Sequence, residues 1–257
     1  MKAVDALVLQ SDEAVLWTLG QAGCLVRSAG VTVAIDPYLS DSVAKIAPDC
    51  ARLLPVPITP EDLRVDLFVV THDHLDHLDP ETIGPYRFKD RTQFVAPRLA
   101  CRKLEALGVP AGNIQRVDVG ETAKVCGVDV RGMFALPSEP AVEDTTGYRL
   151  EFPNGRSLYH SSDTGLSEKL LQRATFAEVL LVCINGKWGN LDVEGAVRLA
   201  GAVGPRVAIP NHYDMMAPNL EDPRRFVTAM AAAFPEISTR VLKVMEPYIW
   251  RDNDEKR

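Results

Sequence analysis

Basic residues in excess, long apolar runs and paired cysteines are all missing from this sequence of 257 residues. Lys and Arg number 28 against 35 Asp and Glu, a net charge of −7. Such a balance gives no broad cationic surface, so a nucleic-acid partner is not expected. No apolar stretch approaches the roughly 20 residues that cross a bilayer as a helix, so no membrane partner is expected either. The segment Met1 to Asp5 lacks the apolar core and small-residue cleavage site of an export signal. Cys24, Cys50, Cys101, Cys126 and Cys183 are odd in number, scattered and without CxxC spacing. They read as reduced and mostly buried side chains, which fits a cytoplasmic protein. GxGxxG, GxxxxGK[ST] and GxSxG are absent too, and with them any motif for hydride transfer, nucleotide cradling or a serine nucleophile.

What is present is enough apolar material, 46% of residues, for one sizeable core. A single domain over residues 1–257 is expected. Short apolar runs at Val15–Leu19, Cys24–Arg27 and Val31–Ile35 have strand length, and Ser28-Ala29-Gly30 joins the last two as a hairpin. A Pro-rich stretch from Pro48 to Pro60 reads as a loop. Thr59-Pro60-Glu61-Asp62 has the cap-then-proline signature of a short helix. Val65–Val70 is a near-continuous apolar run, as in a strand covered on both faces. Asp79-Pro80-Glu81 announces a helix just beyond it, and strand-sized and helix-sized segments follow at Thr92–Ala96 and Pro97–Leu107. Strands fill Thr122–His160, with a turn at Asn154-Gly155. Helices at Leu166–Arg173, Val193–Ala202 and Pro223–Phe234 then alternate with strands at Val179–Ile184 and Arg206–Ile209. Two groups of strands, each followed by helices, predict an α/β architecture of two sheets packed face to face with helices outside.

Thr71-His72-Asp73-His74-Leu75-Asp76-His77 directly follows the buried run and contains three of the chain's five histidines. Such density at a strand end points to metal binding. His72 and His74, two apart on chain leaving a strand, can point the same way and grip one ion. Asp76 and His77, past the bend, can turn to a second ion. Asp73 is better placed to cap or orient a neighbour. Asp163, in Ser161-Ser162-Asp163-Thr164-Gly165, and His212, in Asn211-His212-Tyr213-Asp214, also follow strands. Strand-end loops are where α/β enzymes place their chemistry. His160 lies within a strand and reads as a packed residue.

HxHxDH, a later aspartate in a GDT-like turn and a final histidine after a strand resemble the metallo-β-lactamase superfamily. Gly20-Gln21-Ala22-Gly23, Ile35-Asp36-Pro37-Tyr38, Ile58–Asp62, Asn185–Asn190 and Pro210–Asp214 resemble its ascorbate-6-phosphate-lactonase-like branch. The resemblance covers nearly the whole chain and implies a four-layer αββα sandwich of two mixed sheets. It assigns His72 and His74 to one divalent ion and Asp76, His77 and His212 to the other, with Asp163 between them and Asp36 orienting a ligand.

One departure stands out. The superfamily supplies a further histidine between the first motif and the GDT-like turn, but none occurs here between His77 and His160. Pro137 or a neighbour takes the place, and Glu139 is the candidate oxygen ligand. One or two ions per chain are therefore expected. Zinc comes first, with manganese or iron more competitive as oxygen ligands are added.

Such a site acidifies a water for attack on an electrophilic centre, with Asp76 and His77 as the catalytic pair and Asp76 handling the proton. The resemblance implies a lactone or ester of a small sugar acid, with or without a phosphate as in the branch's name. Asn185, Lys187, Trp188 and Tyr213 are the candidate contacts to this small-molecule substrate, with Arg52 a weaker candidate for phosphate. A phosphodiesterase using the same ions and a non-catalytic binding protein with a degenerate site are the alternatives. A homo-oligomer is compatible with the resemblance, though no interface is legible.

Overall fold

The computed structural model describes residues 1–137 and 144–251. The expected oxygen ligand Glu139 lies outside the described residues.

The N-terminal part forms helix α1 (Lys2–Ala6), then strands β1 (Ala14–Gly20), β2 (Gly23–Ser28) and β3 (Val31–Ile35), paired as successive antiparallel hairpins. β4 (Leu67–Val69) follows, then helix α2 (Pro80–Ile83), β5 (Gln93–Ala96), helix α3 (Arg98–Ala106) and β6 (Ile114–Arg116). The chain then crosses to a second sheet. This begins with β7 (Thr122–Val125), β8 (Val128–Phe134), β9 (Thr146–Glu151) and β10 (Ser157–His160), and continues through helix α4 (Glu168–Gln172) to β11 (Val179–Cys183). Helix α5 (Val193–Val203), β12 (Val207–Asn211), helix α6 (Pro223–Ala233), β13 (Ser238–Thr239) and β14 (Tyr248–Trp250) complete the order.

Each sheet has seven strands, in the orders β14-β1-β2-β3-β4-β5-β6 and β13-β12-β11-β10-β9-β8-β7. Both are mixed. β3 to β6 run parallel and so do β10 to β13, while the remaining pairs are antiparallel.

Alternation along the strands explains the layers. In β1, Ala14 and Leu16 point into a cluster between the sheets, where Val26, Ile35 and Val69 meet Leu150, Leu158, Leu181 and Ile209. Val15, Trp17 and Leu19 point the other way and pack with Phe68, Phe94, Ala100 and Leu104 beneath α3. Leu180, Val182 and Ala208 do the same under α5 and α6, against Ala196, Leu199, Phe226 and Met230. The result is the expected αββα sandwich, and β4, with a core on either side, is wholly buried.

Thr59–Asp62 does not form the expected helix. It makes one turn, with Asp62 N and Leu63 N both donating to Thr59 O. The Thr59 hydroxyl bonds the Asp62 side chain instead of capping the backbone. Leu63 must enter the core and the chain must run extended into β4, so no second turn can follow. The cap-and-proline signal at Asp79-Pro80 does give a helix, where the Asp79 carboxylate accepts from Glu81 N. No helix of the described residues is long and apolar enough to cross a membrane. All five cysteines are free, with Cys24, Cys101 and Cys183 buried.

Candidate metal centre

The parallel strands of both sheets end at one side of the sandwich. Hydrogen bonds stitch the sheets together there, among them Thr146 N to Thr71 O, His212 N to Gln21 O, and Asn211 Nδ2 to Ala22 O.

β3 runs into Asp36, whose backbone is left-handed at φ 43°. Its carboxylate is fully buried. Oδ1 accepts from Thr71 N at 2.8 Å, and Oδ2 accepts from the Thr71 hydroxyl at 2.6 Å. Oδ2 also accepts a hydrogen bond from His77 Nδ1 at 2.7 Å. That bond fixes the ring and leaves Nε2 as the free lone pair. Thr71 Oγ1, its own proton committed to Asp36, lies 3.0 Å from His72 Nδ1 and fixes the same tautomer in that ring. His72 Nε2 is then buried without a partner.

Three further donor atoms converge on these rings. His77 Nε2 lies 3.5 Å from Asp76 Oδ2, 3.5 Å from Asp163 Oδ1 and 3.3 Å from His212 Nε2. His212 Nε2 is 3.3 Å from Asp76 Oδ2 and 3.2 Å from Asp163 Oδ1. The residues form two overlapping cages, His72–His77–Asp163 and Asp76–His77–His212, each with its donor atoms within 4.8 Å of one another. Asn190 Nδ2 holds the other Asp163 oxygen at 2.9 Å and so turns Oδ1 inward.

His74 is half-buried and borders the first cage, its ring edge-on to His72 at a centroid distance of 4.6 Å. Its donor atoms lie outside both cages, as does the Asp73 carboxylate. The Asp73 carbonyl accepts from Lys103. His160 is spent on packing: Nε2 faces Ala22 O at 2.9 Å and Nδ1 accepts from Ser162 N at 3.1 Å. The segment expected to carry the missing histidine does run beside the site. Leu136 N donates to Thr164 Oγ1 and Leu136 O accepts from Gly165 N, with Pro137 next in the chain.

Burial opposes charge on His77 and His212, but the surrounding carboxylates outweigh it. Asp76, Asp163 and Asp36 hold His77 well above the ordinary imidazole pKa, and Asp163 and Asp76 raise His212. Burial also opposes charge on the carboxylates, yet His77 and His212 keep both Asp76 and Asp163 below their usual range. Burial, reinforced by His77 and His74, holds His72 well below its usual value. Buried imidazoles facing ionised carboxylates, with an orphaned ring nitrogen among them, are the donor set a divalent cation takes. The spacings suit it, since donors about 2.0–2.2 Å from a common ion stand a little over 3 Å apart. The residues present fit a metal.

A cleft of about 200 Å³ opens over the cages. His74, Asp76, Asp163 and His212 line one side, and Val43, Cys50, Trp188, Met216 and Asn219 line the other. Of the four expected substrate contacts, Trp188 is in this lining, its indole N–H donating to Asn219 Oδ1 at 2.9 Å. Lys187 is exposed on the same loop, Asn185 is buried with neither amide atom partnered, and Tyr213 packs beside the core under α5 and α6. The Arg52 guanidinium is taken up by the carbonyls of Tyr38, Ser40 and Leu54 and lies over the Tyr38 ring. It staples a loop instead of facing the cleft.

The sequence model of the beta-lactamase superfamily domain matches residues 32–213. The chain belongs to the metallo-β-lactamase superfamily. Among its relatives is a UPF0173 metal-dependent hydrolase of Hyperthermus butylicus, 30% identical over 210 residues, 80% of this chain and 86% of that one. Another, from Methanopyrus kandleri, is 29% identical over 240 residues, 90% of this chain and 97% of the relative. Among solved structures, the metallo hydrolase Igni18 of Ignicoccus hospitalis superposes with a TM-score of 0.75 at 24% identity, covering 93% of this chain and 99% of its own. An isothiocyanate hydrolase from Delia radicum gut bacteria reaches 0.74 at 16% identity, covering 92% and 99%, and shares the fold. This metal-dependent hydrolase thus has its two cages and its cleft within or just beside the matched span.

Gln21, Thr71, Asn190 and the wall of Val43, Cys50, Met216 and Asn219 were not legible as site residues. Gln21 and Asn190 fall in segments that resemble the lactonase-like branch, and that was their only signal.

Proposed function

We propose that this hydrolase opens a lactone, or cleaves a related carboxylic ester, of a small hydroxylated acid. The chemistry of the lactonase-like branch motivates the reaction class. The observation that carries the reading is the cleft: it is of small-molecule size, and Asp76 and Asp163 form its floor beside the two cages. A divalent ion held by these cages, zinc or competing manganese or iron, would supply an acidified water and polarise the carbonyl. The residues do the rest. Asp76, which faces the cleft, takes the proton of the attacking water and returns it to the leaving oxygen. His77 is held rigid by Asp36, and Asp163 by Asn190. The Trp188 indole, pinned to Asn219, covers the body of the substrate.

No Lys or Arg is among the described residues that line the cleft. A phosphate on the substrate would find no cationic partner in that wall, which supports an unphosphorylated, neutral body and weighs against a phosphodiester. The test is hydrolysis of a panel of γ- and δ-lactones beside bis(4-nitrophenyl) phosphate, after loading with Zn²⁺ or Mn²⁺. Lactone turnover without phosphodiester turnover is expected. The reverse would establish a phosphodiesterase, and loaded protein inert to both panels would favour a binding protein.

A further inference from the structure

We infer that Gln21 is a ligand of the second cage, its side-chain amide oxygen completing a four-cornered site with Asp76, His77 and His212. The inference rests on the metal-binding part of the reading above and not on the choice of substrate.

Three corners are already fixed. Asp76 Oδ2, His77 Nε2 and His212 Nε2 stand 3.5, 3.3 and 3.3 Å apart. A tetrahedral ion about 2.0–2.1 Å from each donor requires corners separated by about 3.3 Å. The end of the Gln21 side chain supplies the fourth: its Nε2 is 2.9 Å from Asp76 Oδ2 and 3.3 Å from His212 Nε2. An amide nitrogen carries no lone pair for a cation, but half a turn about the terminal torsion exchanges the two ends of the group. The oxygen is available, since Oε1 is buried and has no hydrogen-bond partner. A glutamine retained only for packing would have this atom satisfied.

The backbone argues the same way. Gln21 is 1% exposed and left-handed, at φ 54°, in the turn between β1 and β2, a conformation that favours glycine. His212 is left-handed as well, at φ 60°. The turn and the segment after β12 hold one another: His212 N donates to Gln21 O at 2.9 Å, and Gln21 N donates to the Asp214 carboxylate at 3.0 Å. Two separate segments thus adopt unfavourable backbones at their point of contact, and both side chains enter one cage. The donor set becomes two oxygens and two imidazoles, harder than the cage without Gln21 and more receptive to Mn²⁺ or Fe²⁺.

The test compares Gln21→Gly, which removes the side chain and relieves the backbone, with Gln21→Glu, which keeps an oxygen at the corner. Co²⁺ and Mn²⁺ are titrated into each metal-free protein, with affinity read by chelator competition and coordination by the visible spectrum of the Co²⁺ form. A thermal melt of the metal-free proteins checks the fold. Gln21→Gly is expected to weaken one cation at least about tenfold and to alter the Co²⁺ spectrum, whereas Gln21→Glu retains or tightens binding. Unchanged affinity and spectrum in a folded Gln21→Gly protein would overturn the assignment. A fall in kcat alone would then place the amide on the substrate. Wild-type protein that takes up no cation at all would overturn the metal reading itself, a result distinct from either.

Discussion

The two ends of the sandwich differ in the tight backbone and the buried polar groups they carry. At the end away from the cages, turns run through Gly30, Gly155 and Gly204, all at positive φ with open space where a Cβ would stand, and Ala29 and Cys126 are left-handed there as well. Buried charge there is matched. Glu178 receives Arg156 at 3.0 Å and Arg206 at 3.4 Å, and its carboxylate also accepts from Ser157 N. At the cage end, Gln21, Asp36, Ser162, Trp188 and His212 are left-handed alongside Gly20, Gly186 and Gly189. Buried donor atoms there, such as His72 Nε2 and His212 Nδ1, go without partners. The cage end gathers more of both, left-handed side-chain-bearing residues and unsatisfied atoms, at the places where side chains must point into the site, as expected of a site that binds.

Substitutions at the two ends should separate binding from folding. His77→Ala is expected to lower metal content and to reduce hydrolysis on the order of a thousandfold, since His77 belongs to both cages. Elemental analysis and initial rates check this, and the metal-free variant should melt as a folded protein. Glu178→Ala should do the converse. It leaves Arg156 buried beside a lost partner and costs about 3–5 kcal/mol in urea unfolding, while metal bound per folded chain stays the same.

Acid should also tell the ends apart. The raised pKa of His77 and His212 stabilises the metal-free protein fully below the unfolded value of 6.5, and that contribution is lost as pH climbs through the folded values. A cation needs both rings neutral and must expel those protons. Calorimetric melts should therefore show a smaller metal-induced rise in Tm at about pH 6 than at about pH 8. An equal rise at both would mean the rings carry no proton to displace. The smallest effects concern backbone alone. Gly155→Ala should cost about 1–2 kcal/mol, whereas Ser162→Gly should return about 1 kcal/mol of strain.

The layers were legible because a strand with one core on each face must be apolar at every position, as at Leu67–Val69, and helices announce themselves by caps such as Asp79. Thr59–Asp62 misled because the same signal is overridden when the next residue, Leu63, has to enter the core. His72, His77, Asp76, Asp163 and His212 could be picked out because dense donors at strand ends are rare by chance. Gln21 could not. Its direction depends on a left-handed turn, and its partners Asp76 and His212 are 55 and 191 residues away. The cleft wall of Val43, Cys50 and Met216 is equally non-local. It exists because the Pro-rich loop bridges to the segment after β12, where Arg52 pairs with Met216.

The shared membership of His77 has an arithmetical consequence. With Nδ1 committed to Asp36, its ring has one lone pair left, on Nε2, and that pair can be given to one ion at a time. Occupancy of one cage therefore removes a donor from the other. The protein should load its cations stepwise, with two well-separated affinities and a half-filled form that persists over a wide range of metal concentration.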